Sequence, residues 1–143
     1  MSTDVIRKLK VVDGAKPDLI IYADRYVGKT TTMMNVPPFR NSINVKPVFG
    51  DAKGENEIGY YQWDYIYNEN TKVASGISTF YLPQGTITGN FIVKVKDGLE
   101  EKGLYVNEIV CGTGDFLGSK GICVTNLDLE VNKIITFLVY FKK

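Results

Sequence analysis

Histidine is absent from this chain of 143 residues, and its absence excludes several kinds of active site. Histidine is the usual general base near neutral pH, the commonest metal ligand and the partner of serine or cysteine in many nucleophilic sites. Cysteine is scarce as well: Cys111 and Cys123 are too few thiolates for a zinc site that has no imidazole. We therefore expect neither a bound metal nor a cofactor.

Neither sign of charge is in excess, since 17 lysines and arginines accompany 16 aspartates and glutamates. No more than two cationic residues are adjacent, so the sequence does not indicate the clustered basic face of a nucleic-acid-binding protein. No apolar run approaches the ~20 residues of a membrane helix, and residues 1–8 lack the apolar core of a secretion signal. These features predict a cytoplasmic protein that binds neither nucleic acid nor membrane and keeps its cysteines reduced.

Glycine is concentrated in residues 112–121, between the apolar runs 104–111 and 122–124. This pattern predicts a strand, a turn and a returning strand, with the glycines supplying positive φ or close backbone approach. Phe116 is a large apolar residue inside the turn, and we expect it to fold back and fill a gap. The hairpin would also bring the two cysteines near each other.

The same segment resembles a signature of known proteins. Residues 112–121 fit the pattern G-[ST]-G-x-F-x-x-x-x-G, which is shared by allene oxide cyclases and dirigent proteins. The similarity extends upstream through residues 59–65 and 76–80 and downstream through residues 133–141. The resemblance implies an eight-stranded β-barrel that works without a cofactor and forms dimers or trimers. Bacterial spirotetronate cyclases resemble the predicted barrel in size and close rings mainly by holding a flexible substrate folded. Such proximity and orientation can lower an activation barrier by ~7–11 kcal/mol.

Eight strands are predicted, over residues 19–27, 43–49, 58–67, 73–82, 86–96, 104–111, 122–127 and 134–142. Short polar connections and the lack of an amphipathic helix favour an all-β antiparallel barrel or sandwich. The resemblance favours the eight-stranded antiparallel barrel, whose closure removes exposed sheet edges. We predict a single β-barrel domain over residues 17–143, preceded by an N-terminal arm, residues 1–16, that is either loose or a short strand.

Residues 23–30 fit a relaxed phosphate-binding loop pattern, [AG]-x-x-x-x-G-K-[ST], after the first predicted strand. Such a loop needs a helix that begins at Lys29 and presents its N–H groups to phosphate. The threonine run and the pair Pro37-Pro38 disfavour that helix. We predict instead a strand end and a polar loop, followed by a proline-stiffened loop over residues 35–41.

Three acids are candidate catalytic groups: Asp24, Asp64 and Glu108. A carboxyl desolvated among aromatic side chains has a raised pKa and acts as an acid, a base or an orienting group. An ion pair or a solvated position at the barrel rim is the alternative for each of them. One hairpin register points Glu108 inward and the other points Asn107 inward, and the sequence is compatible with both.

The resemblance to allene oxide cyclases implies a role for one of these acids. Those enzymes use a first-strand glutamate together with a cysteine on the strand that corresponds to residues 59–67. Asp24 would take the place of the glutamate. The cysteine is missing here, and Asp64 or Tyr65 falls near its position.

Ligand contacts are expected among aromatic and amide side chains of the strands and the glycine-rich turn: Tyr22, Trp63, Tyr65, Phe91, Tyr105, Asn107 and Phe116. In residues 91–96, Lys94 and Lys96 point outward, so Phe91 points inward. In residues 58–67 both faces carry bulky side chains. Either the face that holds Trp63 and Tyr65 lines the barrel, or that face meets a partner.

The predicted function is a cofactor-independent barrel that binds an apolar small molecule and acts as a cyclase or isomerase by folding it in the cavity. A non-catalytic carrier or sensor with the same cavity is one alternative. An oligomeric structural or interaction barrel without a cavity is the other. Each of these functions is compatible with a homo-oligomer, a dimer or a trimer.

Overall fold

The computed structural model describes residues 15–127 and 133–142, which form strands and one 3-10 turn, Gly114–Phe116. The strands are β1 (Leu19–Asp24), β2 (Lys29–Val36), β3 (Phe39–Phe49), β4 (Glu57–Asn68), β5 (Val73–Leu82), β6 (Gly85–Lys96), β7 (Leu99–Glu100), β8 (Leu104–Gly112), β9 (Gly121–Asn126) and β10 (Ile134–Phe141). Most of the predicted N-terminal arm, residues 1–14, lies outside the described residues. Within the described ranges, no helix is long and apolar enough to cross a bilayer.

Eight of these strands close into a barrel. Their order is β1-β10-β9-β8-β6-β5-β4-β3, with antiparallel pairing throughout, and β3 pairs back to β1 at Tyr22 and Phe49. Pairing around the whole ring leaves few backbone groups unsatisfied within the wall. The predicted all-β, eight-stranded antiparallel barrel is therefore confirmed.

The strand β2 corrects the predicted polar loop after residue 27. It pairs with β3 through a hairpin whose tip holds the cis peptide bond Pro37-Pro38, and all its residues are exposed. Threonine is a poor helix former but suits a strand, because its branched side chain fits a pleated surface. Lys29 begins this strand and no helix follows it, so the helix that a phosphate-binding loop needs is absent at this position.

The alternation of side chains settles which faces line the barrel. In β4 the buried and half-buried face is the aromatic one, and it includes Trp63 and Tyr65. In β6 Phe91 is buried while Lys94 is exposed, as predicted. In β8 Asn107 is half-buried and Glu108 is exposed, so the register that points the asparagine inward is the one adopted.

The lower half of the barrel, which contains the 3-10 turn, is packed with aromatic rings. Tyr61, Phe80 and Phe137 contact one another with ring centroids 4.9–5.4 Å apart. The buried ring of Phe116 folds back under this cluster and lies 5.8 Å from that of Phe141. Gly114 and Gly118 provide the turn, with φ values of +60° and +80°. The interior is therefore solid at this end.

The two cysteines do not face each other across the hairpin. Cys123 is buried and pairs with Asn107, whereas Cys111 is exposed and pairs with Thr88 on the other side of β8. Both are free thiols. Both cysteines were expected to be half-buried. The structure instead has Cys111 exposed and Cys123 buried.

Candidate functional site

A cavity of about 260 Å³ occupies the upper end of the barrel, where β1 ends and the short strand β7 folds back on β6. Aromatic side chains form its base, and three cationic side chains with one carboxylate form its wall. Ala74 and Gly98 also line the cavity. Because both residues are small, they leave room for a ligand. Below the cavity the interior holds voids of only about 20 Å³ each. The cavity therefore has an opening at the upper end and a closed floor.

Trp63 forms the floor. Its side chain is 3% exposed, stacks on Tyr65 with 4.1 Å between ring centroids, and meets the edge of Phe91 at 4.9 Å. On the neighbouring strand Trp63 pairs with Ser78 and Tyr65 pairs with Gly76. These small partners leave space for the rings because they add little volume to the interior.

The floor also carries an unused hydrogen-bond donor. The indole nitrogen Nε1 of Trp63 is buried and has no partner in the structure. A buried N–H without an acceptor costs free energy comparable to a lost hydrogen bond. A ligand with an acceptor atom at this position would satisfy it.

Lys46 lies in the wall and is 7% exposed, which is rare for a lysine. Its Nζ donates a hydrogen bond to the backbone oxygen of Arg25 at 3.2 Å. Burial lowers the pKa of Lys46 below its ordinary value, while the nearby carboxylates of Glu100 and Asp24 oppose that change. The amine is thus a desolvated donor beside the cavity.

Two arginines line the same cavity as this lysine. Arg25 donates from Nη2 to the backbone oxygen of Glu100, and its Nε is buried without a partner. The guanidinium of Arg40 lies 5.2 Å from the ring centroid of Tyr67, a cation–π contact. Both side chains line the cavity.

Two tyrosines near the opening have raised pKa values, chiefly because burial disfavours the phenolate. For Tyr65, a hydrogen bond with Ser42 opposes the increase in pKa. For Tyr105, the carboxylates of Glu101 and Glu100 add to the increase, and its hydroxyl donates to the backbone oxygen of Glu101 at 2.5 Å. Both phenols therefore stay protonated near neutral pH and act as donors.

The three acids predicted to be catalytic lie apart from one another. Asp24 is half-buried at the end of β1, near Lys46, and accepts a hydrogen bond from the backbone N–H of Tyr26 at 2.9 Å. Asp64 is on the outer face and accepts a 2.8 Å hydrogen bond from the amide of Asn41. Glu108 is exposed on β8. Among these acids Asp24 is the one next to the upper cavity.

The predicted ligand contacts divide in a similar way. Trp63 and Tyr65 line the cavity, and Phe91 supports Trp63 from below. Tyr105 packs on Phe91 at 6.1 Å. Asn107 borders one of the small voids, and its Nδ2 is buried without a partner. Two candidates lie elsewhere, because Tyr22 alternates with the buried Ile21 and Ala23 on β1 and Phe116 closes the lower end.

Sequence reasoning missed the cationic wall. Lys46 is in phase with the buried Val48 on β3, and that alternation was the available signal. No local pattern could join Arg25 to Glu100, which are 75 residues apart and meet only when the barrel closes.

Comparisons with known proteins support the fold and do not indicate a function. No protein-family model matches the chain, and no curated protein sequence matches it. A solved structure described as pyocyanin demethylase is similar, with a TM-score of 0.60 and 12% sequence identity, over 87% of this chain and 98% of that one. The chain is therefore an antiparallel β-barrel, and its described residues enclose a cavity that opens at one end.

Proposed function

We propose that this barrel binds a small organic molecule in the cavity at its upper end. The observation that carries the proposal is the 260 Å³ space above the ring of Trp63, lined by aromatic and polar side chains. That volume is close to the lower end of the ~300–1,000 Å³ found for ligand pockets, so the ligand is small. The aromatic rings of the lining, which include Trp63, Tyr65 and Tyr67, favour a molecule with an aromatic or conjugated part, and the unpartnered indole N–H favours one with an acceptor atom.

The chain offers one tryptophan, and it lies in the cavity, so its fluorescence reports on binding directly. Protein purified from its own host, analysed by native mass spectrometry, would give the mass of a retained ligand. Candidates are then titrated while Trp63 emission is followed. We expect saturable quenching in wild type and its loss in Ala74→Leu, which fills the cavity.

The matched control is Val110→Leu, an exposed position on the outer face of β8. It should bind like wild type. Unfolding transitions of both variants establish that they are folded. Equal binding by wild type and Ala74→Leu would overturn the proposal, because the ligand would then lie elsewhere.

Catalysis in this cavity is the finer hypothesis. The resemblance to allene oxide cyclases and dirigent proteins favours a cyclisation or isomerisation of a substrate held folded against the floor. The similar barrel is described by its name as a demethylase, which supports an enzyme of this architecture without indicating its reaction. Lys46, Glu100 and Asp24 are the groups within the upper end that could move a proton.

This hypothesis is tested by incubating polyenes and epoxides with wild type, Lys46→Met, Glu100→Gln and Asp24→Asn. Asp64→Asn and Glu108→Gln serve as controls, because both carboxylates are exposed on the outside of the barrel. Product formation that falls in at least one of the first set and is kept in the controls supports catalysis. Turnover that depends on none of the first three groups contradicts it, and a lack of turnover leaves a carrier or sensor.

We also propose that the chain forms a homo-oligomer through the outer face of β2 to β6. Register places Met34, Asn41, Ile66, Ser75 and Ile92 in one row across these five strands. The exposed apolar side chains in and beside this row are Met34, Val36, Phe39, Ile66, Ile77 and Ile92. These residues are 47–58% exposed, so they are available for burial in an interface, and a standard interface buries ~800 Å² per partner.

The occupant that fits this face is a second copy of the chain, because β2 also has an edge that pairs with no strand among the described residues. Sedimentation of wild type should give a dimer or trimer, and Ile66→Asp should give a monomer. Leu117→Asp, at an exposed position in the glycine-rich turn, is the control and should keep the wild-type mass. A monomeric wild type would overturn the proposal.

A further inference from the structure

We infer that the ligand of the upper cavity carries an anionic group, held at the wall formed by Lys46, Arg25 and Arg40, while its planar part lies on Trp63. This inference rests on the proposed function, because it assumes that a small molecule occupies the cavity. It assigns the chemical class of that molecule: an aromatic or conjugated carboxylate.

The first support is the imbalance of charge in the lining. Among the described residues that line the cavity, three are cations and Glu100 is the one carboxylate, so three minus one leaves an excess of two positive charges there. Asp24 lies near Lys46 without lining the cavity, and counting it still leaves one. The excess is local, because the chain as a whole is nearly neutral.

The rim outside the cavity does not share this excess. Beyond Arg25 and Glu100, it carries two cations, Lys96 and Lys102, and two acids, Asp97 and Glu101, which balance each other. The positive potential is therefore strongest inside, where low-dielectric walls make each charge more effective. An anion that enters the opening is drawn to the wall rather than to the rim.

The second support is that these cations form no direct ion pair with a described carboxylate, although Glu100 and Asp24 lie near Lys46. Lys46 donates to a backbone carbonyl, Arg25 donates to another, and Arg40 lies over an aromatic ring. Among the described residues none of the three has a carboxylate partner. A buried ammonium is costly unless an opposite charge compensates it. A ligand anion would supply that charge.

The third support is the set of unused donors around the same space. The Nε of Arg25 and the Nε1 of Trp63 are both buried without a partner. An arginine presents a planar fork that matches the two oxygens of a carboxylate, and Arg25 and Trp63 belong to the same lining. Donors without acceptors, in a lining with excess positive charge, point to a ligand that is rich in acceptors.

Three naphthalene probes of similar size separate charge from shape: 2-naphthoate, 2-naphthamide and 2-naphthylmethylammonium. Isothermal titration calorimetry at low and moderate salt gives their dissociation constants. We expect the carboxylate to bind about tenfold more tightly than the amide, since a charge-assisted hydrogen bond contributes more than a neutral one. The ammonium probe should bind more weakly than the amide, and added salt should weaken the carboxylate alone.

Lys46→Met should reduce carboxylate affinity about tenfold and leave amide affinity nearly unchanged. Arg40→Met removes another of the three cations and should likewise weaken the carboxylate more than the amide. With two variants, a folding defect in one of them does not decide the outcome. Lys94→Met is the control, because Lys94 is exposed on the outer face of β6. It should bind all three probes like wild type.

Two failures are distinguishable. If carboxylate and amide bind equally and both lose binding in Ala74→Leu, the anion inference is wrong and the proposed function stands. If no probe binds, or if Ala74→Leu changes nothing, the cavity is not a ligand site and both proposals are overturned.

Discussion

The indole ring of Trp63 stacks on the phenol ring of Tyr65, with 4.1 Å between centroids and 24° between planes. The two residues are two positions apart on β4, so both point into the barrel. The pair separates the packed lower half from the open upper end. Its stability therefore decides how firmly the floor of the cavity is held.

We predict that a double-mutant cycle with Trp63→Leu and Tyr65→Leu gives a coupling energy of about 0.5–1.5 kcal/mol in urea unfolding. The control is the pair Tyr60 and Tyr81, which stacks at 4.5 Å on the outer face, where Tyr60 is exposed. Its coupling should be smaller because water already surrounds one ring. A coupling for the inner pair no greater than for the outer pair would contradict this account.

The two cysteines should differ in reactivity. Burial raises the pKa of Cys123 to about 12, so its thiolate is scarce at pH 8, whereas Cys111 is exposed. A thiol reagent such as 5,5′-dithiobis(2-nitrobenzoate) should modify one cysteine per native chain and two per unfolded chain. Cys111→Ser should abolish the native reaction, and Cys123→Ser should keep it. Rapid reaction of Cys123 in the folded protein would show that the lower half opens readily.

Lys46 should give stability an identifiable dependence on pH. Because burial lowers its pKa, the folded protein releases this proton at a lower pH than the unfolded chain does. Between that lowered pKa and the ordinary lysine pKa of 10.5, the unfolded state holds more protons, so the unfolding free energy rises with pH. The gain is lost as pH falls through the lowered pKa.

The measurement is the unfolding free energy of wild type minus that of Lys46→Met, from neutral to alkaline pH. The difference should increase with pH. Subtraction is needed because Tyr61, Tyr65 and Tyr105 have raised pKa values and contribute stability that is lost as pH rises. A flat difference for Lys46 would show that its amine is hydrated in the folded state.

Gly76 should not tolerate a side chain. A Cβ built at this residue would lie 1.8 Å from the backbone oxygen of Asp64, on the neighbouring strand. Gly76→Ala therefore forces β4 and β5 apart and should cost at least ~1–3 kcal/mol of stability. Ser75→Ala, at an exposed neighbour, is the control and should be near neutral. A wild-type midpoint for Gly76→Ala would mean that the two strands separate at little cost.

The sequence predicted the architecture because strand alternation and hairpin turns are local. The strand predicted over residues 73–82 is a strand in the structure too, since apolar and polar positions alternate and turns flank them. The strand β2 was missed for a local reason too. Its threonines lie outside the barrel and bury nothing, so no apolar alternation marks it, and the following prolines indicated a loop.

Only part of the cavity lining was predicted from the sequence. Trp63 and Tyr65 were named because an aromatic face on a strand is visible in the sequence. Lys46 was not, because its burial depends on the backbone carbonyl of Arg25, which barrel closure brings within hydrogen-bonding distance. Asp64 and Glu108 were named for their charge, and the strand registers place both outside.

The solid lower half makes the interior a blind pocket rather than a tunnel. A ligand in this pocket would have to leave through the opening by which it entered. A bound ligand would therefore dissociate before another could bind. Exchange would then proceed at the rate of dissociation, through the opening that the β6–β7 turn borders at Gly98.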